Sequence, residues 1–429
     1  MNFTGLSLDQ APPISAPVRF FLTAPIFAAV AALLIFFLDP LVLSSRYSVE
    51  AIGVTHLFTI GFIAMVMLGA LQQMLPVLAG VNIPKASLVA SSSHVLLSLG
   101  LIMMLVGLLQ GVKMLLFAGT LSLSLGFFIL IIGIFLAIRK VEFMTSTIRA
   151  MRWAIFFAVV TVFLGGHLLS SHAIGISSEL HLVFANIHAV LALFGFAGIL
   201  IIGVAFQVIP MFYVTPPFHD RYQNYLVLSV VSTLVLWAVL SAFAPQSVWV
   251  AKVLLSLVFA LFAYLVLEKM NQRKRPIADI TVYYWRLGGG MLFAGLLLWL
   301  LSSFIKVELT SYIAVLIGGG FVMSVMIGML YKIIPFLVWF HLNGMGYMNI
   351  LSMGEMVNKK WALVQFGLYV TSLALFLLGF WLPLLIKLGA VSLLFSMVLL
   401  EINLVKAYAN YGETRKRKPD FDMSMMGGS

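Results

Sequence analysis

Histidine is the residue type in this chain best placed to do chemistry. There are eight: His56, His94, His167, His172, His181, His188, His219 and His341. Cysteine is absent, which excludes thiolate metal sites, disulfides and thioether-linked haem. Carboxylates are scarce where they would matter: Asp39, Glu179 and Glu401 stand toward the ends of apolar runs, and none lies at the middle of one. Proton-coupled carriers and pumps rely on buried carboxylate relays, and this chain offers none. What remains is imidazole chemistry, because neutral imidazole ligates haem iron and copper once its second nitrogen is satisfied.

The histidines fall into register with an internal repeat, which sets which of them could act together. Gly61 and Gly69 precede Pro76, Gly195 and Gly203 precede Pro210, and Gly320 and Gly328 precede Pro335, with the same spacing each time. A polar residue stands three before each proline: Gln73, Gln207 and Lys332. His56 lies five residues before Gly61 and His188 seven before Gly195, so their depths differ by about 3 Å. Two histidines at matched depth could ligate one iron from opposite faces or serve two different centres. The alternative is interhelical hydrogen bonding. His167, His172 and His181 cluster near the ends of two adjoining apolar runs and form a second, weaker candidate for metal; interfacial residues in a wet loop are the competing reading. His94, His219 and His341 read as structural.

The elements that carry these residues are membrane spans. Of 429 residues, 62% are hydrophobic and 9% charged, against roughly 25% charged in soluble domains. A spanning helix needs about 20 apolar residues. On that basis twelve spans are expected, near 19–43, 54–78, 88–110, 114–138, 152–173, 181–213, 223–243, 246–267, 283–304, 310–339, 362–384 and 385–408. The fold class is all-α: a polytopic membrane protein with its related segments on spans 2, 6 and 10. That pattern implies three pseudo-repeats of four helices, 1–145, 146–279 and 280–429, the last ending in the basic tail Arg415-Lys416-Arg417-Lys418. The glycines should admit close helix approach and put spans 2, 6 and 10 nearest the centre, and the prolines should end each span.

Lysines and arginines orient the chain. With the N-terminus inside, nineteen fall on inner segments, among them Arg275, and five on outer segments, among them Lys306. Both termini are therefore expected in the cytoplasm, with His56 and His188 toward the outer face. The net charge of +11 reflects this bias and is no sign of nucleic-acid binding.

Twelve helices, three four-helix units, and His56-Leu-Phe-Thr-Ile-Gly with Gly203-Val-Ala-Phe-Gln-Val-Ile-Pro-Met-Phe resemble the catalytic subunit of the haem–copper oxidase superfamily. The resemblance implies a low-spin haem ligand at His56 and a metal ligand at His188. It fails elsewhere: the seventh span, 223–243, has no histidine, and the tenth has Ile313 and Val315 where the repeat would place two. The binuclear centre, and with it oxygen or nitric oxide reduction, is not carried over.

The function expected is an oxidase-like protein of a bacterial inner membrane holding at most one b-type haem, or a single metal site such as copper, near the outer face. Its role would be electron transfer or gas or metal sensing. Expected partners are the lipid bilayer, a redox or respiratory-complex partner, and a second copy of the chain. Two other classes compete: a permease for copper or a small solute with spans 2, 6 and 10 lining the path, and a cofactor-free assembly partner of a respiratory complex.

Overall fold

A computed structural model describes residues 12–175, 179–274, 278–305, 307–379 and 381–421. Arg275 and Lys306, both used in the charge count, lie outside the described residues. Among those described there is no strand, and twelve helices are long and apolar enough to cross a membrane. They are α1 (Ser15–Phe37), α2 (Val49–Ala79), α3 (Ala86–Gln110), α4 (Lys113–Ile138), α5 (Ser146–Ile174) and α6 (Leu180–Tyr213). The second half of the chain gives α7 (Asp220–Phe243), α8 (Pro245–Asn271), α9 (Ile280–Leu301), α10 (Thr310–Gly344), α11 (Lys359–Gly379) and α12 (Leu384–Thr414). Alternate crossings return the chain to the face it left. That face, with Ser15 and Thr414, is here the terminal face; its opposite is the far face.

Local chemistry sets the helix ends. The expected first span runs to 43, but α1 stops at Phe37, because the Asp39 carboxylate accepts from Leu41 N at 3.0 Å and opens a 3₁₀ turn over Pro40–Ser44. Side-chain oxygens of Ser48, Thr145 and Asp279 cap α2, α5 and α9 by accepting from backbone N–H groups, and such caps are worth about 1 kcal/mol each. At the other ends of α2 and α3, Gly80 and Gly111 take left-handed φ of 62° and 66°, which a side chain would disfavour.

Three helices form the centre. In the most apolar stretch of α2, α6 and α10, 67%, 78% and 72% of residues are buried, and no other helix exceeds 56%. The glycines explain why. A Cβ at Gly61 would lie 2.6 Å from Phe27 Cβ, and one at Gly69 3.0 Å from Phe20 Cβ, both on α1. Gly195 and Gly203 meet Phe157 and Ala150 on α5, while Gly320 and Gly328 meet Met291 and Tyr284 on α9. Each pair is eight residues apart and receives partners seven apart, always on the helix one before it in the chain. One antiparallel contact is thus made three times. Around this centre α12 packs on α1 and closes the ring, and apolar side chains such as Phe163, Leu257 and Leu297 face outward where lipid would contact them.

One expectation needs correcting. The prolines do not stop their helices: Pro76, Pro210 and Pro335 lie inside helices that continue to Ala79, Tyr213 and Gly344. Tightly packed membrane helices tolerate this because neighbouring groups and local widening re-satisfy the backbone. Of the two repeat glutamines, Gln73 is 3% exposed and Gln207 is exposed. Lys332 makes an ion pair with Asp279, whose carboxylate also accepts from Thr281 N at 3.1 Å.

Where the tenth span lacks histidines, uncharged polar groups occupy the interior between α9 and α12. Tyr284 donates to Gln365 Oε1 at 2.6 Å, Tyr331 donates to the same oxygen at 3.3 Å, and Gln365 Nε2 donates to Ser396 at 2.8 Å. Gln365 and Ser396 are fully buried.

Candidate functional site

α2, α6 and α10 share an irregularity that hydropathy does not reveal. Each widens into a π-helical stretch around its first repeat glycine: Leu57–Ala64, Leu191–Gly198 and Ala314–Met323. Wide turns of this kind are rare and cluster at functional sites. His56 immediately precedes the first stretch, and His188 stands three residues before the second.

The structure brings these two histidines together. Their ring centres are 6.1 Å apart and their planes differ by 24°. His56 Nδ1 lies 2.7 Å from the Ile52 carbonyl one turn back on α2, and His188 Nδ1 lies 3.0 Å from the Thr161 carbonyl on α5. A carbonyl only accepts, so each Nδ1 carries the proton and donates it. That leaves an unprotonated Nε2 on each ring, and no hydrogen bond engages either Nε2 among the described residues. This is the arrangement by which proteins orient ligating imidazoles.

Gly165 on α5 lets that backbone pass against His188, for a Cβ there would lie 2.9 Å from the imidazole Cε1. On the far-face side, Arg46 donates to Asn186 Oδ1 at 2.6 Å, two residues before His188, and lies over the Tyr47 ring. Lys252 donates to Ser302 at 3.2 Å nearby. Glu308, on the loop before α10, is held below the ordinary carboxylate range, chiefly by hydrogen bonding from Thr310, with the charge of Arg46 adding to it. The paired imidazoles therefore sit beneath a band of fixed charge.

The other histidines divide as their surroundings dictate. His167 is exposed with its ring edge-on to Phe184 at 5.5 Å, His172 is exposed in the last turn of α5, and His181 is half-buried near the start of α6. Among the described residues no three or more His, Asp or Glu gather as a metal group, so His167, His172 and His181 are not brought into one three-ligand centre. His94 Nε2 pairs with Thr23 Oγ1 at 2.8 Å, linking α3 to α1. His219 caps α7, and His341 sets its two nitrogens against the carbonyls of Leu337 and Pro12. All three serve structure.

Donor chemistry bears on what the pair could hold. Two metal–nitrogen bonds of about 2 Å, with roughly 1 Å from each nitrogen to its ring centre, span about 6 Å. The observed separation suits one shared ion, and imidazole donors fit iron and copper alike. Comparison with known families and with curated proteins gives no match for this chain.

Proposed function

We propose that His56 and His188 hold a single metal centre near the far face of this membrane-spanning helical protein, either the iron of a b-type haem or a copper ion. On this reading the chain is a relative of the haem–copper oxidase catalytic subunit that keeps one redox-active site and lacks the binuclear centre. The observation that carries it is the pairing itself: two imidazoles 6.1 Å apart, each with Nδ1 pinned to a carbonyl. Hydrogen bonding between helices accounts for His188 Nδ1, which donates to Thr161 on α5, but not for Nε2 of either ring, which meets no hydrogen-bond partner among the described residues. A metal so held would supply one-electron chemistry or bind a small gas. The chain's own part is to fix both tautomers, exclude lipid from the ring faces through α5 at Gly165, and place Arg46 above the site. Electron transfer or sensing follows better than turnover, since among the described residues no His, Asp or Glu joins the pair to make a group of three.

The test is a reduced-minus-oxidised optical spectrum with metal analysis on the purified protein. One centre per chain is expected, and His56→Ala and His188→Ala should each abolish it while the protein still inserts and folds. Loss in one variant alone would reject a shared ion. Absence of both Soret absorption and bound copper after expression in a host replete in haem and copper would reject the centre.

A further inference from the structure

A cleft of about 460 Å³ opens on the terminal face, where the start of α1 meets the last turns of α10 and α12. Two of its lining residues carry positive charge. His341 Nδ1 lies 2.9 Å from the Leu337 carbonyl, and its Nε2 lies 3.2 Å from the Pro12 carbonyl. Carbonyls only accept, so the ring satisfies both contacts only as the doubly protonated imidazolium. Arg415 is the second cation and is always charged; its guanidinium carbon lies 5.5 Å from the centre of the Tyr411 ring. The His341 ring stands edge-on to the same tyrosine at 6.5 Å.

Neither cation has a counter-charge among the described residues, where the ion pairs are Lys332 with Asp279 and Arg417 with Asp420. His341 is only 9% exposed, and a buried charge is costly unless it is paired. The cleft thus collects two positive charges and leaves its open space to an anion. The rest of the lining says which kind. Ile14 and Met345 give it an apolar wall, and Tyr408 and Tyr411 stack with ring planes 10° apart. Tyrosine and tryptophan are enriched where headgroups meet hydrocarbon, and Lys406, two residues before Tyr408, lies 4.1 Å over the Trp361 ring. A freely dissolved anion gains nothing from an apolar wall at this level, whereas an amphiphile does.

We infer that this cleft binds the headgroup phosphate of one anionic phospholipid, with Arg415 donating to the phosphate, His341 supplying charge from the buried side and the tyrosine rings packing on the glycerol. A guanidinium matches phosphate oxygens with paired N–H donors. Lys416 and Lys418 of the basic tail are exposed and do not line the cleft. They attract an anionic leaflet without selecting one headgroup. The cleft shares no residue with the His56–His188 pair and lies at the opposite face, so neither reading depends on the other.

The experiment uses the full chain, purified and delipidated in detergent, and titrated with dioleoyl-phosphatidylglycerol or dioleoyl-phosphatidylcholine. Native mass spectrometry counts the bound lipid. One phosphatidylglycerol per chain should bind roughly tenfold more tightly than phosphatidylcholine. Arg415→Gln should lower that affinity roughly tenfold and leave the thermal midpoint without lipid unchanged, while Lys416→Gln with Lys418→Gln should keep the tight site. If Arg415→Gln fails to fold, the parent protein decides the matter with a phosphatidylglycerol that carries a photoreactive headgroup. Its label must fall within 12–15, 341–345 or 408–415. Several outcomes would overturn the inference. They are equal affinity for the two lipids, unchanged affinity in folded Arg415→Gln, an equal loss in the Lys416, Lys418 variant, or labelling confined to other segments. Full displacement of the lipid by inorganic phosphate alone would also overturn it, by marking a site for the free anion.

Discussion

The metal centre can be probed without touching either histidine, by adding one methyl group. In Gly165→Ala the new Cβ would lie 2.9 Å from His188 Cε1 and 3.4 Å from Nδ1. Carbon pairs settle at about 3.5–4.0 Å, so the imidazole must retreat by roughly 0.6–1 Å or turn. Either movement lengthens the 3.0 Å bond to the Thr161 carbonyl, worth about 1 kcal/mol, and swings Nε2 off its line to the ion. Losing such an orienting contact typically costs 10–100-fold in metal affinity. The expected result is at least a tenfold weaker centre with a thermal midpoint lowered only slightly. Gly166→Ala is the internal control, because its Cβ would meet only Ser124 and Thr120 at 3.7 Å. The assay is metal affinity by competition with a chelator, run beside thermal unfolding in the same detergent. Equal affinity for Gly165→Ala and the parent protein would refute the assignment of His188 as a ligand.

Other outcomes follow from the packing. Gly203→Ala places a methyl group on top of Ala150 and should cost about 1–3 kcal/mol, with stability recovered in the double variant Gly203→Ala, Ala150→Gly. Gln365→Leu leaves the hydroxyls of Tyr284 and Tyr331 without their acceptor and removes the donor to Ser396; thermal unfolding should show a loss of about 3 kcal/mol or more. Burial alone would raise Asp279, but the charge of Lys332 and hydrogen bonds from Lys332 and Thr281 hold it below its ordinary 3.8. A depressed carboxyl contributes stability above its ordinary value and loses it as pH falls through the lower folded value. Asp279→Asn should therefore unfold at a lower temperature than the parent at pH 7, and the two should converge below pH 3.8. With Asp279 45% exposed, the gap should stay under about 1 kcal/mol.

Hydropathy was enough for the helices and for the depth of the histidines, because both depend only on counting residues along an axis. The twelve spans and the matched levels of His56 and His188 follow from that count, and so does the central place of α2, α6 and α10, given the glycines. Contacts between distant residues were not legible. Nothing local distinguishes Gln73 from Gln207, yet one is buried and the other exposed, because only the first turns toward the space shared with α6 and α10. Asp279 sits 53 residues from Lys332, and Tyr284 sits 81 from Gln365, so each partner reads alone as an ordinary interfacial or core residue. The prolines misled because the rule that they stop helices belongs to water, where no neighbouring helix is on hand to compensate.

The π-helical stretch before Met65 sets the facing of the site as well as the shape of the helix. A π turn holds an additional residue, so α2 carries a phase offset between its two halves. Were 57–64 to wind as α-helix with no residue removed, His56 would rotate by about 100° about the helix axis relative to Gly69. The glycine contact with α1 would survive, and the imidazole would swing out of line with His188. A deletion of one residue there would instead leave both halves facing as they do now, so the paired histidines depend on the winding between them and Gly69 as much as on their own presence.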